Sequence, residues 1–198
     1  MEVRFLPFLR SCVEVLSKRG SILAFFNVTY FCSFFVVVLL AHFLLPPVLY
    51  SEEPLTGFWF PIEDSWFITF VVIFLFNLVV SAFIVVTLPG MVLFPLSAGF
   101  LVFRGVLWGL LFYPLPAWSF LVVLPTVILE GEAYIMAAAA GTVVGLSWVK
   151  SGWLFKNKEL SRVEAFKLAL KEVRQLYKVV VMLLLVAAVV ETVTILSI

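Results

Sequence analysis

Four ionisable residues stand in stretches that are otherwise apolar: Arg104 in GFLVFRGVLWG, Glu130 and Glu132 in PTVILEGEAY, and Glu191 in VAAVVETVTIL. Each costs about 2.5–3.5 kcal/mol at the centre of a bilayer on insertion scales, so a function that needs them is the default expectation. Three carboxylates against one guanidinium leave negative charge in surplus. The site they form is therefore expected to hold protons on some carboxyls or to attract a cation. Arg104 is the natural counter-ion for one glutamate. Asn77, in the middle of another apolar run, and Thr126 complete the polar set expected to bind an ion or a small polar solute. The plainer alternatives are that a buried Arg-Glu pair only locks helices together and that Asn77 only joins two helices.

Glu130 and Glu132 are two residues apart, which turns them about 200° from each other on a regular helix. They share one cavity only if the backbone is irregular at Gly131. Length argues the same way, because Leu115 to Val149 drawn as one helix reaches about 52 Å, against a hydrocarbon core of about 30 Å. The expected form is a short half-helix from Ala117 to Leu124, an irregular piece broken near Pro125 and Gly131, and a second helix from Ala133 to Val149. Non-helical backbone at that depth survives only where protein or a water-filled cavity surrounds it. The arrangement is similar to the discontinuous helices that hold ion and substrate sites in transporters. Ala133, Ala137, Gly141 and Gly145 recur every four residues and predict a smooth face for close helix packing, with a dimer seam as the alternative.

These residues must be positioned by membrane-spanning helices. The chain of 198 residues is 64% hydrophobic and 13% charged, with a mean hydropathy of +1.20, whereas a soluble domain is about half apolar and about a quarter charged. Lipid must be the solvent for most of this surface. The fold class is an all-α integral membrane protein with about five transmembrane helices, forming a single transmembrane domain over residues 1–198. The first span covers about Ile22 to Leu45 and ends at Pro46-Pro47. The second covers Trp66 to Leu88 and ends at Pro89-Gly90. A third runs from there to Tyr113, contains Arg104 and is expected to be bent or partly unwound by Pro95 and its glycines. The broken span is the fourth, and Val179 to Ile198 is the fifth. The first apolar run is too long for a signal-peptide core, so it is expected to remain as an anchor. Residues 1–20 mix apolar and basic side chains as an interfacial segment does. Residues 150–178 read as an amphipathic surface helix: Ser161 and Glu164 have capping-box spacing, and Val163, Phe166, Leu170, Val173 and Tyr177 follow at helical intervals.

Those two flanking segments hold twelve of the 13 basic residues, while the loop between the first two spans holds Glu52, Glu53, Glu63 and Asp64 and no base. Five spans put both basic segments on one side, which the positive-inside rule makes the cytoplasm, with the N-terminus inside. A net charge of +1 gives no reason to expect nucleic acid. Cys12 and Cys32 are not expected to form a disulfide. His42 lacks the neighbouring ligands a metal needs. No HExxH, GxSxG, Walker or CxxC pattern is present, so neither catalytic residues nor a cofactor are expected.

LPTVILEGEAYIMAAAAG, Leu124 to Gly141, resembles the Leu-Pro-His-Gly-x-x-Glu segment and following small-residue helix of the stage II sporulation protein M family of multi-pass membrane proteins. Asn77 in the second span, GFLVFRG in the third and Glu191 near the end of the last add to the resemblance, which covers Trp66 to Ile198. It implies a multi-pass membrane fold and makes Glu130 the family's glutamate. Thr126 and Val127 stand where the family has His-Gly, and Glu132 stands where it usually has proline, so no role of that histidine carries over. The sporulation member works with cell-wall hydrolases, but family members also occur in organisms that neither sporulate nor make peptidoglycan. Two functions follow as expectations. One is a transporter-like protein that binds or translocates a cation, proton or small polar solute at the acidic site. The other is a non-enzymatic scaffold, possible as a homodimer, that recruits cytoplasmic or membrane partners through its amphipathic helix.

Overall fold

The computed structural model describes residues 5–45, 65–113, 115–155 and 160–197. The acidic loop lies outside them. Five helices are long and apolar enough to cross a membrane, and no strand occurs among the described residues. α1 (Phe5–Lys18) leads through Arg19 into α2 (Gly20–Leu44), the first span.

The second span is α3 (Trp66–Leu75), a π-helical stretch (Phe76–Thr87) and α4 (Leu88–Val92) in sequence. Its buried positions show why the helix widens. Thr69, Ile73 and Asn77 recur every four residues, and then Asn77, Ala82 and Thr87, with Ser81 and Val86 beside them, recur every five. Pro89-Gly90 is expected to end this span, but the helix runs on to Val92. Pro89 lies inside this continuous helix, since Thr87 and Leu88 before it keep helical angles, and its missing N–H is a defect that packed membrane helices absorb. The chain turns instead at Leu93, whose backbone is extended with φ −134° and ψ 109°. α5 (Phe94–Phe112) is one continuous helix rather than an unwound one. Its Gly105 lets α2 approach, since a Cβ there would meet the Tyr30 carbonyl at 2.9 Å.

The fourth span corrects the largest structural expectation. α6 (Ala117–Val149) is an uninterrupted helix of 33 residues that passes through both Pro125 and Gly131. A helix of this length fits because not all of its course lies in hydrocarbon. At 1.5 Å per residue α6 is about 50 Å long, and its last turns are covered by protein: Val143, Val144 and Leu146 pack on Ala165 and Ala169, with Leu154 of α7 (Ser151–Leu154) and Phe155 in the same cluster. Pro125 leaves the Leu121 carbonyl without its helical donor, a defect that packed transmembrane helices absorb. Gly131 makes room for a ring instead of breaking the helix, because a Cβ there would sit 2.5 Å from Tyr30 Cε1.

α8 (Arg162–Ser197) joins the expected surface helix and the fifth span into one rod of 36 residues. Its start is a reciprocal cap: the Ser161 N–H donates to Glu164 Oε2 at 3.0 Å, and the Glu164 N–H donates to Ser161 Oγ at 3.3 Å. Its buried face is rotated from the expected one. Ala165, Ala169, Glu172 and Leu176 face inward, while Val163 and Leu170 are exposed. Small alanines face α6 because the two long helices pack closely along their length.

Lipid tails are as apolar as leucine, so close packing of small residues has to hold such a bundle. Ala133, Ala137, Gly141 and Gly145 are all buried inside this chain. Thr87 Oγ1 donates to the Ala137 carbonyl at 2.9 Å, so the Tyr177 hydroxyl, 2.7 Å away, must donate to Thr87. A Cβ at Gly145 would lie 2.3 Å from the Gly90 carbonyl oxygen, a backbone atom that cannot swing aside. Gly145→Ala is therefore expected to cost about 3 kcal/mol through overpacking. Gly99→Ala, with no atom within 4 Å of the new Cβ, should cost nothing measurable. Thermal unfolding of both variants in detergent checks the contrast.

Candidate functional site

Each of the five spans sends a polar side chain to one region at mid-height of the bundle. α6 supplies Glu130, only 1% exposed, and Tyr134 one turn on. The π-helical stretch supplies Asn77 and Ser81, α5 supplies Arg104, α2 supplies Tyr30 and α8 supplies Glu191. Asn77 Nδ2 donates to Glu130 Oε1 at 2.5 Å. The Tyr134 hydroxyl lies 3.1 Å from Glu130 Oε2 and 3.0 Å from Asn77 Oδ1. It has one proton for two acceptors, so it serves one at a time.

Arg104 closes the site from α5. Its guanidinium lies 4.5 Å from the Tyr134 ring centroid and 5.8 Å from that of Trp108, cation–π contacts that hold a cation where water is scarce. It also lies near enough to Glu130 to attract its carboxylate. Glu191 adjoins Glu130 within hydrogen-bonding reach. Two carboxyls then face one guanidinium. Fully ionised, the cluster keeps one uncompensated negative charge, which one proton or one monovalent cation neutralises.

Among the described residues, six buried side-chain atoms have no hydrogen-bond partner in the protein, and five belong to this cluster or lie one turn from it: Tyr30 Oη, Arg104 Nε, Trp108 Nε1, Thr126 Oγ1 and Glu191 Oε2. An unmade hydrogen bond of this kind costs about 1–3 kcal/mol.

The structure brings Glu130, Arg104, Asn77 and Glu191 together, with Thr126 one turn from Glu130 on the same buried side of α6. Glu132 is set apart. Because α6 stays regular through Gly131, Glu132 points away from Glu130; it is half-buried and accepts a 3.4 Å hydrogen bond from Asn27 Nδ2 of α2. The pairing of the two carboxylates in one cavity is thereby corrected. Residues that the sequence reading missed are Tyr134, Tyr30, Ser81 and Trp108. Tyr134 follows Glu130 by four positions and Trp108 follows Arg104 by four, a spacing that puts each pair on one helix face. Tyr30 has no comparable signal. No group of three His, Cys, Asp or Glu that could hold a metal occurs among the described residues. His42 is exposed, and Cys12 and Cys32 are free thiols.

The family model for stage II sporulation protein M matches residues 22–194. No curated protein and no solved structure matches the chain.

Proposed function

The chain belongs to the stage II sporulation protein M family of multi-pass membrane proteins, and from that premise we propose that its work is to bind and move a proton at the Glu130–Glu191 pair. One observation carries this reading: two carboxyls from α6 and α8 lie side by side near a single buried guanidinium, ringed by polar atoms without partners. Such a pair changes charge by gaining or losing one proton, and Arg104 keeps either state affordable inside lipid. The Tyr134 hydroxyl can follow the change by donating to Glu130 in one state and to Asn77 in the other. Vesicles reconstituted with the protein and loaded with a pH-sensitive dye are expected to equilibrate a pH gradient faster than empty vesicles. Glu191→Gln should remove the effect, whereas Glu132→Gln should keep it. Equal rates with and without protein overturn the reading. A flux of sodium or potassium instead of protons reassigns the site to a cation.

A second reading is a scaffold, supported by the outward face of α8, where Val163, Lys167, Leu170, Lys171 and Arg174 are all exposed. In this reading the buried cluster only locks the bundle and the strip captures a partner. Charge reversal at Lys167 and Lys171 is then expected to abolish capture in pull-downs, and an unchanged set of bound proteins counts against it. We place this end and the N-terminus in the cytoplasm, because Lys18, Arg19, Lys150 and the basic half of α8 share one end of the bundle. Labelling of Lys167 by a membrane-impermeant reagent on intact cells would reverse the orientation.

A further inference from the structure

A second polar site lies at the end of the bundle where α1 meets α2. A cavity of about 610 Å³ opens there, walled by Lys18, Arg19, Ser21, Trp153 and Phe155, within the range of about 300–1,000 Å³ typical of ligand pockets. Among the described residues there the cations outnumber the anions. Lys18 and Arg19 share the single carboxylate of Glu172, Lys18 through a direct salt bridge and Arg19 through Nε at 2.8 Å from Oε2. Lys150 does not line the cavity, but its Nζ stands 3.9 Å over the ring of Trp153, which does, and so adds a positive charge behind the wall. Arg19 is buried. Its Nη1 donates to the Leu154 carbonyl at 3.3 Å, while Nη2, 2.8 Å from the same Glu172 oxygen, is not aligned for a hydrogen bond and lacks an acceptor.

The position selects the occupant. Gly20 begins the first spanning helix and Val149 ends the fourth, so the cavity lies level with the membrane surface, and the exposed rings of Trp148 and Trp153 beside it suit a headgroup layer. A phosphate there meets the one Arg19 nitrogen without an acceptor, Nη2, together with a lysine point charge and the Ser21 hydroxyl. The apolar side chains of Ile22 and Leu154 border the same space, where a glycerol and the first methylenes would lie. We propose that this cavity is a headgroup site for an anionic phospholipid, entered from the leaflet that faces the basic end of the protein.

Native mass spectrometry of the full chain in detergent tests this, with phosphatidylglycerol and phosphatidylcholine of matched acyl chains as probes. Phosphatidylglycerol is expected to stay bound at one per chain after activation that strips phosphatidylcholine. Lys18→Gln combined with Lys150→Gln should weaken retention roughly twenty-five-fold, about fivefold per cation removed near the surface. Both lysines are exposed, so the fold should survive, and Trp153→Ala gives an independent loss. Equal retention of the two lipids, or undiminished retention in both variants, overturns the proposal. Displacement of phosphatidylglycerol by millimolar inorganic phosphate would instead assign the cavity to a free anion.

Discussion

Glu130→Gln is expected to leave the five spans assembled and to abolish proton movement in reconstituted vesicles. The amide has nearly the shape of the carboxylate, and the local hydrogen bonds can reorganise without loss. Its carbonyl oxygen takes the place of Oε1 and accepts from Asn77 Nδ2, while its NH₂ takes the place of Oε2. The Tyr134 hydroxyl then accepts from that NH₂ and turns its own proton to Asn77 Oδ1, already 3.0 Å away. Arg104 keeps Glu191 as its neutralising carboxylate. Glu130→Ala has no such escape: it leaves Asn77 Nδ2 without its buried acceptor and is expected to cost about 1–3 kcal/mol. Helix content and thermal unfolding in detergent separate the two variants. If Glu130→Gln conducts like the wild type, the carboxyl carries no proton and the bundle-locking reading stands.

Removing the cation should have the largest effect on stability. Arg104→Met keeps a long side chain that can lie against the Tyr134 and Trp108 rings, so what disappears is mainly charge. Glu130 and Glu191 then adjoin each other with no buried cation, and the loss is expected at about 3–5 kcal/mol. Adding Glu191→Gln removes one of the two stranded carboxyls and should restore most of that loss, a coupling that a double-mutant cycle reads directly. Additive losses, or an Arg104→Met protein as stable as the wild type, would show that Arg104 does not neutralise the pair.

Much of this architecture is legible from residue types alone. Continuous apolar runs mark the spans, because a bilayer demands about twenty apolar residues in a row, and the clustering of Lys and Arg shows which segments share a side. Arg104, Glu130, Asn77 and Glu191 stand out because polar groups in hydrocarbon are costly. What hides is whatever an apolar run contains without that cost. Tyr30 and Tyr134 carry no such mark within apolar runs, yet both are fully buried, and the Tyr134 hydroxyl reaches both Glu130 and Asn77. Glycine and proline mislead for a related reason. In a soluble chain they break helices, whereas between packed membrane helices Gly131 serves Tyr30's ring and Pro125 passes through α6. The separation of Glu132 from Glu130 then follows from helical geometry, which turns neighbours two apart to nearly opposite faces.

In the proposed function Glu130 and Glu191 act as one proton-exchanging pair inside the bilayer. Infrared difference spectroscopy of the reconstituted protein, recorded between two pH values, addresses it directly. A carboxylic-acid C=O band should appear and vanish with pH, shift in heavy water, and be lost in Glu130→Gln and in Glu191→Gln while persisting in Glu132→Gln. A spectrum without such a band, or one unaltered in both of the first two variants, would contradict the account.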